Sequence, residues 1–334
     1  MDIWQFATNQ EGLPKAPEGF TEGSPRAISL GYFDGVHAGH RIILEKLIYE
    51  AQKRSLPPVI HTFSDTPISK LVSGEDTHRG DLTTLKERCY FFSRVGAAET
   101  TLFPFNDRIA HMEPEDFFHK YLVEKLGAKV LIAGDDYRFG RGQSGDMKLL
   151  KSLCDPLGIE VFSVKPLCFE GRKVSSGWIR DLVSAGDIRT ANRLLGYPIS
   201  YQGVVEEGKK LGRTLGFPTA NVRITDGKII PRYGVYASLL STDSGTFPSV
   251  TSIGLRPTVN STDPNPLSET TIIDCDTNLY GKNIRVHLLH FLRPEFKFPN
   301  VEALRDQVNR DMAEVRHYHE HHAADYTIML PGVL

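Results

Sequence analysis

Several short stretches of this chain concentrate residue types that handle phosphate. In GYFDGVHAGH, Gly31 to His40, two imidazoles flank a small turn, His37-Ala38-Gly39-His40. The turn lies between a strand-like run and a run of helical period. Backbone N–H groups at a helix N-terminus, with the positive end of the helix dipole, favour an anion there. Gly39 lets the backbone approach such an anion, and His37 and His40 can donate hydrogen bonds to its oxygens. An H-x-G-H string alone is also consistent with a polar turn or part of a zinc site. Zinc normally takes a third protein ligand, and none is evident nearby. Two further turns share the chemistry. Val174-Ser175-Ser176-Gly177-Trp178-Ile179-Arg180 offers two hydroxyls and the Arg180 guanidinium just before a helix, a clamp for outer phosphates. Gly134-Asp135-Asp136-Tyr137-Arg138-Phe139-Gly140 follows the strand-like KVLIA.

A different arrangement stands further along. Gly212-Arg213-Thr214-Leu215-Gly216, preceded by Lys209 and Lys210, is a glycine-rich basic loop of the kind that wraps phosphates through backbone N–H groups. Pro218 then fixes the chain before Thr219 and Asn221. Two apart on a strand, these side chains share a face. A hydroxyl and an amide oxygen so placed suit Mg2+ together with nucleotide oxygens, because Mg2+ takes few protein ligands and keeps waters. The histidines between 287 and 322 lack a ligand spacing and read as part of a solvated tail.

These residues need two kinds of scaffold. At 334 residues, with 40% hydrophobic and 24% charged content, the chain suits two globular domains. Its net charge of −2 gives no electrostatic case for nucleic acid or an anionic membrane. The four cysteines, Cys89, Cys154, Cys168 and Cys275, form no C-x-x-C pair and are expected as buried free thiols. No apolar signal core or membrane-length apolar run is present, which leads to an expected cytoplasmic location.

In the first half, strand-like runs at 26–31, 58–63, 99–103, 129–133 and 159–164 alternate with helical ones at 40–53, 82–95 and 114–127. That alternation predicts βαβ units and a parallel sheet, with ligands at the carboxyl ends of its strands. After a helical stretch at 187–195, short strand-like runs separated by Gly, Pro and Asn or Asp predict a small all-β unit, a barrel by preference. Val301, Leu304, Val308, Met312 and Val315 then fall at helical spacing, and the chain from 317 reads as a loose extension.

The motifs together resemble a known family. GYFDGVHAGH, LFPFNDRIAHMEPEDFF, GDDYRFGRGQSGD and VSSGWIR resemble the nucleotidyltransferase half of the prokaryotic-type bifunctional riboflavin kinase/FMN adenylyltransferase (FAD synthetase) family. GRTLGFPTAN, GVYA, SIGLRPT, SETT, LYGK and RPEFKF resemble its flavokinase domain. The resemblance implies an α/β doubly wound parallel-sheet domain over 1–186 and a six-stranded β-barrel with a terminal helix over 187–334. It implies His37, His40, Gly39, Ser175, Ser176 and Arg180 at the ATP phosphates, and Asp136 near flavin or nucleotide. It also implies Gly212, Arg213 and Gly216 around a second ATP, Thr219 and Asn221 on Mg2+, and Glu269 as general base. Riboflavin would become FMN in the second domain and FMN would become FAD in the first. The expected partners are small molecules, without nucleic acid or membrane, for a monomer or weakly self-associating chain. Gly177 stands where the family's I-S-S-T-x-x-R clamp carries Thr, and Ser64-Asp65-Thr66 replaces a Pro-and-His segment. Those departures leave one alternative, a kinase whose first half only binds nucleotide or scaffolds; a non-enzymatic flavin sensor is a separate alternative, and retention of Glu269 argues against it.

Overall fold

The computed structural model describes residues 1–65, 80–207, 217–224, 227–255, 266–274 and 278–322, and divides into two compact units, Met1–Ser176 and Gly177–Leu334. The first unit is built on a parallel sheet of β1 (Asp2–Gln5), β2 (Arg26–Leu30), β3 (Pro58–Phe63), β4 (Glu99–Phe103), β5 (Ala128–Gly134) and β6 (Glu160–Val164). Its spatial order is β1-β4-β3-β2-β5-β6, with every pairing parallel. Alternate side chains of the buried strands feed two cores, as the two-residue period requires. Ala27, Ile60, Val130 and Ile132 meet α1 (Ala38–Lys53) through Leu44, Leu47 and Ala51, and α2 (Leu85–Arg94) through Phe92. Ile28, Val59, Phe103 and Leu131 face the opposite layer. There a helix starts at Pro114–Phe117 and continues as a π-helix over Phe118–Lys125, and α3 (Met147–Cys154) supplies Leu150 and Cys154. Helices therefore cover both faces, the doubly wound arrangement.

The chain winds outward from β2 toward β3 and β4, then returns to β5 and β6 on the other side. The loops after β2 and β5 consequently diverge at their carboxyl ends, the switch point where open α/β sheets bind ligands. The sequence pattern passed over β1, whose register against β4 runs from Asp2 on Glu99 to Gln5 on Leu102. β1 has no buried residue, so its composition carries no core signal.

In the second unit, α4 (Ser176–Ala185, whose first residue closes the first unit) and α5 (Ile188–Leu195) precede six strands. Asp187 caps α5 through the Thr190 N–H, and Gly196 ends it in the left-handed region. The strands are β7 (Ser200–Val204), β8 (Ala220–Arg223), β9 (Gly234–Thr242), β10 (Gly245–Gly254), β11 (Leu267–Ile272) and β12 (Asn283–Arg293). All pairings are antiparallel in the order β7-β12-β9-β10-β11-β8. A bridge between Glu206 and Asn221 brings the two ends together, so the sheet nearly closes into a barrel. Every residue of β9 is buried, because its two faces are covered differently. On one, Ser238, Ser249, Thr251 and Thr270 form a hydroxyl ladder between strands. On the other, Val235, Ala237 and Leu239 pack against Met312, Val315 and Tyr318 of α6 (Val301–His322).

The structure differs from the sequence expectations at three points. The helix does not end at 316 with a loose tail. It runs to His322, because Tyr318 extends the apolar stripe, buries, and stacks on His290 at 5.3 Å. The histidines are not simply solvated either. His287 is wholly buried and His319 Nε2 meets the Ser238 carbonyl at 3.1 Å, while His317, His321 and His322 remain at the surface or near it. Among the thiols, Cys89 and Cys154 are buried as expected, but Cys168 is exposed on a short ribbon, and Cys275 lies outside the described residues.

Candidate functional sites

The turn after β2 is held from below. Asp34, buried, accepts from Leu82 N, Thr83 N and the Thr83 hydroxyl at 2.9–3.0 Å, and Thr83 Oγ1 accepts from Gly35 N at 2.8 Å. That anchorage keeps Phe33 and Val36 at positive φ (56° and 35°), where side chains rarely sit. His37 is the N-cap of α1, its Nδ1 accepting the His40 N–H at 3.3 Å. A backbone N–H only donates, so His37 is neutral and carries its proton on Nε2. The two rings stack with centroids 3.6 Å apart. Burial, then the positive charges of Arg41 and Lys173, brings the His37 pKa down to about 4. Burial also pushes His40 well below the usual imidazole range, helped by His37, Lys173 and Arg41. A Cβ at Gly39 would lie 3.2 Å from His37 Cε1, so the stacked pair leaves little room there for any other residue.

These groups line one end of a cavity of about 460 Å³, together with Ser175, Ser176, Asp136 and Lys173. Ser176 Oγ donates to the Asp34 carbonyl at 2.9 Å, tying the second clamp to the first turn. Lys173, on the strand-like segment Arg172–Lys173, pairs with Asp136. Burial alone would raise the Asp136 pKa, but the hydrogen bond and charge of Lys173 outweigh it and hold the carboxyl below its ordinary value. Gly140 closes the loop after β5. Its φ is +72°, and a Cβ would meet the Pro114 backbone nitrogen at 2.7 Å. Arg180, buried on α4, falls in the second unit. At Gly177 on the same helix, an added Cβ would meet nothing within 4 Å among the described residues.

The other end of the cavity is aromatic, and sequence reasoning did not assign it. Ring contacts run Phe105–Phe63–His61–Phe117–Phe139–Tyr137, with centroids 4.9–6.4 Å apart. Ile109 and Ala110 complete the wall. Much of it comes from LFPFNDRIAHMEPEDFF, a stretch that carries resemblance but displays no polar pattern to flag a site. A histidine inside the strand-like PVIHTF, two before Phe63 and so on its face, was the available signal. Lys173 could have been found as the cation just before the two serines.

In the second unit, β8, β11 and β10 lie side by side. Asn221 is the register partner of Glu269, and Glu269 that of Ser252. Directly opposed residues on neighbouring strands share a face, so the amide, the carboxylate and the hydroxyl form one row. Asn221 is 3% exposed, and its Oδ1 is buried without a hydrogen-bond partner among the described residues. Ser252 Oγ donates to Glu295 Oε1 at 3.0 Å, placing a second carboxylate beside the row. Thr219 stands one residue before β8 begins. Gly212, Arg213 and Gly216 lie outside the described residues, as do Thr66 and Pro67. RPEFKF has a structural part: Arg293 forms paired hydrogen bonds of 2.9 and 2.6 Å to buried Asp311 of α6 and lies over Phe296.

The FAD synthetase family model matches residues 20–177, and the riboflavin kinase family model matches residues 195–319. The bifunctional riboflavin kinase/FMN adenylyltransferase of Escherichia coli K12 is 34% identical over 307 residues, 92% of this chain and 95% of that protein. The chain belongs to this family. The Bacillus subtilis 168 member is 32% identical over 300 residues, covering 89% and 93% of the two chains. A crystal structure from Streptococcus pneumoniae, described as a macrolide-efflux protein, superposes with a TM-score of 0.81 at 30% identity, covering 95% of this chain and 99% of that one. The family, with both of its domains, is the description that the sequence comparisons support. Among the described residues, no helix is long and apolar enough to cross a membrane.

Proposed function

We propose that the second unit phosphorylates riboflavin to FMN and the first transfers AMP from ATP to FMN, giving FAD and pyrophosphate. The observation that carries the second step is the two-ended cavity at the switch point of the parallel sheet. Its polar end suits phosphate, and its aromatic wall suits a flat, fused-ring flavin. In that step an FMN phosphate oxygen attacks the α-phosphorus, and the bond from that phosphorus to the pyrophosphate oxygen breaks. The leaving pyrophosphate gains charge, which Lys173, the His37 Nε2–H and His40 are placed to offset. Because both imidazoles are held neutral, they act as hydrogen-bond donors that cost little to desolvate. Ser175 extends the phosphate clamp, while Ser176, its donor engaged by Asp34, holds the clamp in place.

In the kinase step, a ribityl hydroxyl attacks the γ-phosphorus and the bond to ADP breaks. A hydroxyl is a poor nucleophile, and Glu269 accepts its proton. A buried oxygen without a hydrogen-bond partner among the described residues, Asn221 Oδ1, fits a hard divalent cation such as Mg2+, with the Thr219 hydroxyl as second ligand. When bound, that ion adds positive charge at the phosphate oxygens. Gly212, Arg213 and Gly216, outside the described residues, are the proposed binding residues for the phosphates of this ATP. The enzyme works on small molecules in the cytoplasm as a monomer or weakly associating chain, independent of nucleic acid and membrane. FMN and ATP supplied together should yield FAD and pyrophosphate, and His40→Ala should suppress this while leaving FMN formation from riboflavin within about twofold. FAD formation unaffected by His40→Ala would remove the H-x-G-H turn from the site.

A further inference from the structure

A histidine of the aromatic wall carries a buried ring nitrogen with no hydrogen-bond partner among the described residues. His61 projects from β3, is 2% exposed, and meets Phe103, Phe63 and Phe117 with its ring. One ring nitrogen, Nδ1, is 3.0 Å from the Thr101 hydroxyl on β4, its register partner. The other, Nε2, is buried with no hydrogen-bond partner among the described residues, although the side chain lines the cavity. Burial lowers the His61 pKa to about 3, so the ring is neutral at working pH. A buried polar nitrogen left unpaired is costly, and such groups are normally matched by protein, water or ligand. Phe at this position would fill the wall without that cost.

The ligand that suits this wall must therefore be mostly apolar and flat, with a hydrogen-bonding edge. An isoalloxazine ring has that character: a dimethylbenzene end that only packs, and a pyrimidine end rich in carbonyls and ring nitrogens. We infer that His61 Nε2 hydrogen-bonds the pyrimidine edge of the FMN ring, making His61 a positioning residue that fixes which way the flavin enters. The inference rests on the reading that the first unit takes FMN. Either tautomer serves, since the flavin edge offers both acceptors and an N–H, and the Thr101 hydroxyl can donate or accept in turn.

His61→Phe keeps an aromatic ring and removes the nitrogen. In FAD synthesis by the full chain, the KM for FMN should rise roughly five- to tenfold, the scale of one hydrogen bond. kcat at saturating FMN, the KM for ATP and the riboflavin kinase rate should stay within about twofold. The visible absorption band of bound FMN should lose the shift that hydrogen bonding at the ring edge produces. His61→Gln, which keeps a donor and an acceptor, should recover FMN affinity to within about threefold. Should the Phe variant fail to fold, His61→Met carries the same comparison. Equal FMN affinity and an unchanged flavin spectrum in the Phe or Met variant would overturn the role of His61. An unaltered protein that makes no FAD would instead overturn the reading on which it rests.

Discussion

Single residues divide into those whose role shows in their type and those whose role depends on neighbours. Asn221 and Glu269 sit directly opposite each other on β8 and β11, an arrangement that the spacing of Thr219 and Asn221 could not reveal. Glu269→Gln retains shape but cannot accept a proton. We expect FMN formation to fall ~10²–10⁴-fold with ATP binding retained. Activity within a few-fold of the unaltered enzyme would take Glu269 out of the base role. At Gly177, an added Cβ meets nothing within 4 Å among the described residues, its chain neighbours aside. Thr there can add a hydroxyl beside Ser175 and Ser176 and removes the flexibility of glycine from the first turn of α4. A hydrogen bond to a charged phosphate contributes about 1.5–3 kcal/mol. Gly177→Thr should therefore lower the ATP concentration that half-saturates FAD formation, by roughly tenfold or more, and leave the kinase unchanged. An unchanged ATP curve would show that backbone groups already do this work. The sequence pointed to His37 and His40 by their place between strand and helix. It did not disclose that they stack, or that Lys173 is the cation beside them.

Among elements, the strand-and-helix alternation of the first half was legible because β2, β3 and β5 are buried on both sides and bounded by clear turns. β1 escaped because it is exposed, and α3 because its eight residues are few for a helical period. The turn between β2 and α1 owes its shape to a contact distant in sequence, Asp34 to Leu82 and Thr83. Asp34→Ala leaves two buried N–H groups unpaired and should cost about 3 kcal/mol of stability in the first unit. FAD formation should fall further than FMN formation. The neutral imidazoles give this unit an acid dependence of definite sign. Folded pKa values of about 4 for His37 and about 3 for His61 lie below the ordinary value of 6.5. The unfolded chain thus binds protons first as pH falls. Their stabilising contribution is complete above pH 6.5 and declines below it, through about 4 and then 3. The urea midpoint of the first unit, followed by Trp4 fluorescence in a Trp178→Phe background, should drop between pH 6.5 and 4, and less steeply in His61→Phe. A midpoint independent of pH over that range would contradict burial as the cause.

For the whole molecule, two folds of different class stand in one chain, and the sequence pattern announced both by passing from strand-and-helix alternation to short strand-like runs after the helical stretch at 187–195. The barrel's near closure through Glu206 and Asn221 depended on a tertiary contact that no local pattern carries. On the proposed assignment of one site to each unit, Thr219→Ala should impair Mg-ATP use in the kinase while adenylyl transfer to supplied FMN stays within about twofold. Equal loss of both activities would mean that the sites are not independent. The most direct test of the central claim, that one chain performs both steps, is to incubate the purified protein with riboflavin, Mg2+ and ATP and to separate the flavins over time. The account predicts that FMN appears first and FAD accumulates from it, that Glu269→Gln leaves riboflavin unconverted, and that His40→Ala stops the sequence at FMN. FMN with no FAD from the unaltered protein, or riboflavin unchanged throughout, would contradict it.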